Sequence, residues 1–398
     1  KLDDKVNGLL AIIEKNPLYV HFFLIENLGF NKRLIDMFCD KENGFDVKEH
    51  LFITSYKELY ELEKDNCNIC YHTNPNFNGV EMINKYGDIG KWLFVHSLPG
   101  WGRGTENINK KYFHKIIWRT WGHDVNVKQY TDNNKEYFKK LLSCKKSFLV
   151  YKQIAGEIMA MVKSLVISKK RINIVKKFYG IGINDIVDEI NIKKNYGNVN
   201  LMHMPYPEKH EYEILASKIV SESRDYINVM VGHSGYSNDN HCEIVNVLKK
   251  FEKDPIKLNF VLNYGDNDYI KKVIEYVKNN WAGKYEIIMS HMDYGDYAEF
   301  VNDMDIIVLD GKSSYALGNL AMAVTLKKSI FVNRKGVLKE GLLKEKIPFN
   351  CTDEIASMSF QQFSKKTSFS IDANCSLCIH PYKIYVNMWK EIYNKLDR

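Results

Sequence analysis

No run of about 18 or more apolar residues occurs in this 398-residue chain, so a membrane-spanning helix is not expected. Lys1–Gly8 lack the apolar core and small-residue cleavage site of a signal peptide, and the expected compartment is cytoplasmic. Neither a Walker lysine loop nor a G-x-G-x-x-G fingerprint is present, so neither ATP nor a dinucleotide is the preferred ligand. No internal repeat or low-complexity tract is visible. The basic residues come without a nucleic-acid-binding signature, so nucleic acid is not an expected partner. Cysteines are few, eight in all. Two pairs have C-x-x-C spacing, Cys67/Cys70 and Cys375/Cys378, but they lie far apart and lack the glycines of a zinc knuckle. Reduced thiols are the expectation, and no metal site.

What is present is the balance of a globular protein: 45% hydrophobic and 26% charged residues, with length enough for two domains. The net charge of +7 is modest, but it is gathered. Lys139, Lys140, Lys145, Lys146 and Lys152 are interleaved with Phe138, Leu141, Leu142, Phe148 and Leu149, and Lys163, Lys169, Lys170, Arg171, Lys176 and Lys177 follow. Basic residues beside an apolar face suit an anionic membrane surface. Segment 137–177 is therefore expected to hold the protein peripherally on the inner face of the cell membrane, a solvated helix face being the plainer alternative.

Short apolar runs alternate with helix-like segments throughout. Leu18–Ile25, His50–Thr54, Asn68–His72, Lys91–His96, Lys115–Trp121, Ser164–Ser168 and Asn200–Pro205 read as strands of a first domain, 1–207. After the linker-like Pro205-Tyr206-Pro207, a second block begins, 208–380, with strands at Tyr226–Val231, Ile256–Leu262, Tyr285–Met289, Asp305–Leu309 and Ser329–Asn333. This βα rhythm predicts an α/β class with two doubly wound, mostly parallel sheets. A last helix, Tyr382–Leu396 within segment 381–398, is expected to cross back to the first domain.

Two loops carry the chemistry. Val231–His241 (VGHSGYSNDNH) lies where a strand turns into a helix; its glycines admit close backbone approach and its helix-start amides attract an anionic diphosphate. Gly232, Ser234, Gly235, Ser237, Asn240 and His241 are its candidate contacts. Asp310–Asn319 (DGKSSYALGN) sits at another strand's carboxyl end, with Ser313, Ser314, Tyr315, Gly318 and Asn319 as candidates and Lys312 adding charge. An ordinary capped turn is the alternative for either loop. In the first block, Gly122-His123-Asp124 follows a strand, and His123 or Asp124 is the expected general base.

These segments resemble the bacterial N-acetylfucosamine (4-acetamido-4,6-dideoxygalactose) transferases of enterobacterial common antigen synthesis, glycosyltransferase family 56. Ile117–Val125 (IWRTWGHDV) is similar to that family's Trp-rich strand ending in W-G-x-D. Val231–His241 resembles its V-G-N-S-G…S-N-x-H turn, with His233 in place of Asn and Tyr236 in place of Asp. Asp305–Leu320 and Ser329–Arg334 (SIFVNR) resemble its D…G-x-G-T-L…V-L-N-R pattern, and Tyr294–Tyr297 (YGDY) its F-D-A-Y. The resemblance implies a GT-B fold, with two Rossmann-like domains facing a cleft. It also implies inverting transfer without a required divalent metal or other cofactor, a dTDP-linked amino-deoxy sugar as donor, and a lipid-linked or cell-surface glycan as acceptor. His233, Asn319 in place of Thr and the extra Trp101–Asn107 (WGRGTEN) leave donor and acceptor identity open. The alternatives are a nucleotide-sugar 2-epimerase and a non-catalytic partner in glycan assembly.

Overall fold

The computed structural model describes residues 17–24, 28–54, 69–71, 78–98, 104–121, 124–125, 169–206, 210–217, 225–312 and 316–397. The chain forms two compact units. One comprises Lys1–Asn184, Asn191–Pro207 and Tyr385–Arg398; the other comprises Asp185–Ile190 and Glu208–Ile384.

Among the described residues, seven strands form the first unit's sheet: β1 (Tyr19–Phe23), β2 (His50–Thr54), β3 (Ile69–Tyr71), β4 (Trp92–His96), β5 (Ile116–Arg119), β6 (Gly180–Ile183) and β7 (Leu201–His203). All pair parallel, in the order β3-β2-β1-β4-β5-β6-β7. Continuous apolar runs suit strands covered on both faces, and β1, β2 and β5 are buried at every position. Strand β6 (GIGI) was not among the expected strands. Its glycines make room for neighbours: a Cβ on Gly182 would stand 2.5 Å from Met204 Sδ and 3.1 Å from Arg119 Cδ. Ser164–Ser168, expected as a strand, lies outside the described residues.

Helices α1 (Leu28–Cys39), α2 (Gly79–Tyr86) and α3 (Ile186–Tyr196) follow in chain order. Asn78 starts α2 with a capping box closed by Glu81. In the second unit come α4 (Glu211–Ser217), α5 (His241–Leu248), α6 (Asn267–Asn280), α7 (Tyr294–Asn302), α8 (Leu317–Thr325), α9 (Val337–Lys344) and α10 (Phe360–Phe363). Its strands are β8 (Ile227–Val231), β9 (Ile256–Val261), β10 (Lys284–Ile288), β11 (Ile306–Leu309), β12 (Ser329–Val332) and β13 (Asn350–Cys351), parallel in the order β10-β9-β8-β11-β12-β13. Two apolar clusters cover this sheet, one holding Met230, Ile307 and Ile330, the other Val229, Val308 and Phe331. Those residues are sequence neighbours, as the period of two along a strand requires.

The last helix, α11 (Tyr382–Leu396), returns to the first unit. Tyr385, Trp389, Ile392, Tyr393 and Leu396 are buried at helical spacing. The Trp389 indole donates to Pro205 O at 2.8 Å, the Trp92 indole to Leu396 O at 3.3 Å, and Tyr19 Oη to Asp397 Oδ1 at 2.6 Å. Full burial of an aromatic of this size stabilises by roughly 2–3 kcal/mol, so Trp389 and Tyr393 are major anchors of the helix.

Between α11 and the sheet lies a row of buried histidines. His21 of β1 stands between His50 of β2 and His96 of β4, with ring centroids 5.5 and 5.4 Å away. His21 Nδ1 lies 3.1 Å from His96 Nε2, and His21 Nε2 lies 3.3 Å from His50 Nδ1. Burial, reinforced by the mutual repulsion of the rings, holds His21 well below its ordinary range; burial takes His50 down to about 3. His96 is likewise held low by burial and then by the Arg119 charge. Unfolded histidine takes up its proton near pH ~6.5. Below that pH the unfolded chain binds protons that the folded row refuses, and stability falls with pH. Unfolding free energy measured by denaturant at a series of pH values should be level above about pH 7, as far as the row governs it. Below about pH 6 it should drop by about 1.4 kcal/mol per pH unit for each histidine of the row. Stability independent of pH from 7 to 5 would contradict this.

Candidate functional site

Strand order in the second sheet reverses between β8 and β11, which pair parallel from Ile306↔Val229 to Val308↔Val231. In open α/β sheets the crevice beyond the carboxyl ends at such a point is where ligands bind. The loops that leave there are 232–240 and 310–316, the two singled out by composition.

The first loop is folded around Asp239. Its buried carboxylate accepts from the amides of His233 and Ser234 at 3.2 and 2.9 Å and from Ser234 Oγ at 2.8 Å, while His233 Nδ1 lies 2.9 Å from Asp239 Oδ1. Burial alone would raise this carboxyl. The His233 hydrogen bond, the His233 and His241 charges and the Ser234 hydroxyl outweigh it and hold the group below the ordinary carboxylate range. Gly232 takes φ +69°, and a Cβ there would stand 2.4 Å from His241 Nε2, so no larger residue fits beside that imidazole. His241 is fully buried, with Nδ1 3.4 Å from Tyr269 Oη and Nε2 without a hydrogen-bond partner among the described residues. Burial lowers it to about 4, against the pull of Asp239, so it is neutral at pH 7. Gly235 donates to Tyr264 O at 2.6 Å and meets Gly265 backbone to backbone. Tyr236 and Tyr264 stand half exposed beside this contact, their rings 6.2 Å apart.

Asp310 joins the first loop to the second. Asn240 Nδ2 donates to Asp310 O at 3.0 Å and to Oδ2 at 2.9 Å; Asn333 Nδ2 donates to Asp310 O at 3.2 Å and to Oδ1 at 3.1 Å; Thr352 Oγ1 donates to Oδ1. One carboxylate thus ties the segments that follow β8, β11, β12 and β13. Gly311 and Gly336 permit the approach, a Cβ on Gly336 falling 2.7 Å from Gly311 O.

The helix starts differ across the sheet. Asp266 caps α6 and Asp293 caps α7 through their carboxylates. Among the described residues, helices α5, α8 and α9 begin without a side-chain cap, α5 at Asn240 with φ +51° and α8 at Ala316 with φ +63°. Left-handed backbone at a non-glycine residue is strained, and such strain gathers at functional sites. The first-turn amides of α5 and α8 are thereby left for another acceptor.

Several expected contacts face inward. Ser234 is buried and bound to Asp239, Asn240 is tied to Asp310, and Gly232, Gly235 and His241 shape the loop. Ser237 is exposed. Asn319 Oδ1 accepts from Tyr297 Oη, linking the YGDY segment to α8. A Cβ on Gly318 would meet nothing within 4 Å, so the first turn of α8 is open there. Ser313, Ser314 and Tyr315 lie outside the described residues. Composition alone missed Asp239, Asp310, Asn333, Thr352 and Tyr297. Asp239 and Asp310 lay within the two quoted loops and Tyr297 in the YGDY segment, but nothing in the sequence marked which of their polar residues would hold the others in place.

In the first unit the reading of Asp124 as a base needs correction. Asp124 is fully buried; Oδ2 accepts from the Leu98 amide at 3.0 Å and the Trp118 indole at 2.9 Å, and Oδ1 accepts from the Trp121 amide at 2.7 Å. A carboxylate so saturated is an anchor for the turn after β5, not a base within reach of a substrate hydroxyl. His123 lies outside the described residues, as do residues 137–168 of the basic segment. Of that segment's described part, Lys169, Lys170, Lys176 and Lys177 are exposed, whereas Arg171 is buried against the Trp118 and Tyr196 rings. Among the described residues, no helix is long and apolar enough to cross a membrane. Cys242, Cys351, Cys375 and Cys378 are free thiols, but Cys39 is disulfide-bonded, against the expectation of reduced thiols throughout.

Residues 182–397, more than half of the chain, match the family described as 4-alpha-L-fucosyltransferase, glycosyl transferase group 56. No curated relative matches the sequence. The fold is similar to that of a glycosyltransferase from Rickettsia africae, with a TM-score of 0.59 at 12% identity, covering 96% of this chain and 99% of that one. Sucrose-phosphate synthase from Thermosynechococcus elongatus gives 0.58 at 9% identity, with 96% and 99% covered. The Anabaena HepE protein, solved in complex with UDP and glucose, gives 0.54 at 9% identity over the same shares. The two Rossmann-like units, with the last helix returned to the first, are the GT-B fold.

The anchor role of Asp124 is open to direct measurement. Asp124→Asn turns one carboxylate oxygen into a donor that faces the donors Leu98 N and Trp118 Nε1 or Trp121 N. It should lower the unfolding free energy by about 1–3 kcal/mol in denaturant titration. Unchanged stability would contradict the assignment.

Proposed function

The chain belongs to the 4-alpha-L-fucosyltransferase family, glycosyl transferase group 56, and is a glycosyltransferase; from that premise we propose that it moves an amino-deoxy sugar from a dTDP-linked donor to a lipid-linked glycan. The observation that carries this reading is the pair of uncapped helix starts, α5 and α8, joined through Asn240 and Asp310 where the strand order reverses. In the proposed donor site the diphosphate lies against the first-turn amides of both helices, with Lys312, exposed beside them, adding positive charge. Negative charge grows on the leaving diphosphate in the transition state, and fixed amide dipoles stabilise it there without reorganising. That stabilisation takes the place a divalent cation holds elsewhere, so the reaction is proposed to need no metal.

The acceptor hydroxyl attacks the anomeric carbon from the face opposite the diphosphate, which inverts the configuration. Its proton passes to His123, next in sequence to the anchored Asp124. The lipid diphosphate of the acceptor is proposed to be met at the inner membrane face through the basic segment 137–177. Asp239 is bound to donors of its own loop and Asp310 to Asn240, Asn333 and Thr352, so they lend no support to the alternative of a 2-epimerase. The similar HepE structure, solved in complex with UDP and glucose, supports a nucleoside-diphosphate sugar as the donor.

A thermal-shift screen with dTDP-, UDP- and GDP-sugars, followed by transfer assays on the stabilising donor, tests the reading. Specific binding raises the melting temperature, since ligand held by the folded state alone stabilises it. With that donor, His123→Ala should lower transfer by about 10²–10⁴-fold while leaving the thermal shift in place. No shift with any nucleotide sugar at about millimolar concentration would remove the donor site, and full activity in His123→Ala would remove the base.

A further inference from the structure

At the far end of α8 from the donor loops, the turn 372–380 gathers two thiols and an imidazole. Cys378 is half-buried; its Sγ lies 3.6 Å from His380 Nε2 and 3.9 Å from Nδ1, and as a thiol it donates to Cys375 O at 3.2 Å, a bond that ionisation gives up. His380 Nε2 also lies 2.8 Å from Cys375 O. Cys375 is fully buried among Leu377, Leu342 and neighbouring core residues. The turn is held on every side. Ser376 donates through N and Oγ to Glu345 Oε1 at 3.2 and 2.7 Å, the Ile379 amide to Thr325 Oγ1 at 2.9 Å, and the Asn374 amide to Asp372 Oδ1 at 2.8 Å. A tied turn keeps Cys375 and Cys378 in register with one another before any chemistry occurs. Glu345 is the carboxylate facing the cluster.

The two thiols have opposite characters. Hydrogen bonding to Cys378, with burial, keeps Cys375 protonated. The Cys375 hydrogen bond, working against burial and joined by the His380 hydrogen bond and charge, takes Cys378 down to about 5; the Cys378 partner in turn raises His380 against its burial. By contrast burial and Glu243 raise the half-buried thiol of Cys242. A thiolate beside an imidazolium is the reactive form of cysteine, and a neighbouring thiol is what closes its oxidised form into a disulfide.

We propose that Cys378 is a peroxide-reactive thiolate that Cys375 resolves into a disulfide within this turn. The Cys378 thiolate attacks one oxygen of hydrogen peroxide and the O–O bond breaks. Sulfur is oxidised by two electrons to the sulfenic acid, and the departing hydroxide takes the His380 proton to become water. Cys375 then gives its proton to His380 and attacks the Cys378 sulfur. An S–S bond forms, the S–O bond breaks, and the second hydroxide leaves as water with that proton. In sum, two thiols and one peroxide give one disulfide and two waters. The site is separate from the donor loops and does not depend on which sugar is transferred.

Treating the full chain with about ten equivalents of hydrogen peroxide, blocking with iodoacetamide and mapping peptides by mass tests the assignment. Cys375 and Cys378 should appear joined, two hydrogens lighter than the dithiol, well before Cys242 is modified. In Cys375→Ser, dimedone should label Cys378, and His380→Asn should slow its oxidation about tenfold. The same chain unfolded in urea serves as the control that needs no variant to fold: there Cys378 should react no faster than Cys242. Equal rates for Cys378 and Cys242 in the folded protein, or dimedone on Cys375 in place of Cys378, would overturn the proposal.

Discussion

Asp310 holds the second unit's ligand edge together. Its carboxylate and carbonyl collect Asn240, Asn333 and Thr352, so the segments after four of the sheet's parallel strands share one acceptor group. Hydrogen bonds to a buried carboxylate are the stronger kind, about 1.5–3 kcal/mol each. They set the position of Asn240, whose left-handed backbone starts α5, and the loop that leads to α8. Asp239 does the same work inside the first loop. The negative charges in this region face the protein, and the amide dipoles are left for a ligand. That division makes an anion site possible beside two carboxylates.

The alternation of apolar runs and helical segments made the parallel strands legible, because strands buried on both faces read as unbroken apolar stretches. His50–Thr54 needed no adjustment at either end. β6 was hidden for a physical reason: its glycines are there to admit Met204, a tertiary fact that leaves no local pattern. β13 is only Asn350–Cys351, too short to show a period. The loops were found because glycine, serine and asparagine cluster there. Which atoms face a ligand was not legible, since Ser234 and Asn240 have the same chemistry whether they meet phosphate or an internal carboxylate. Asp124 illustrates the same limit. A carboxylate after a strand looks like a base until its three donors are known.

The two units rely on different interiors. In the first, aromatic rings and three neutral histidines lie beneath α11, and the return of that helix completes the unit. In the second, apolar clusters cover both sheet faces. The family match, residues 182–397, falls largely on the second unit, where the loops proposed to hold the donor lie. The sugar and the acceptor are therefore to be sought in what differs from the family pattern, His233 and Asn319, now seen bound to Asp239 and Tyr297.

Calorimetric titration of dTDP, dTMP and thymidine into the full chain without added metal tests the central claim most directly. If the amides of α5 and α8 receive the diphosphate, affinity should rise with each phosphate, with dTDP at least about tenfold tighter than thymidine, or about 1.4 kcal/mol. Equal affinity for all three, or binding by none, would contradict the account.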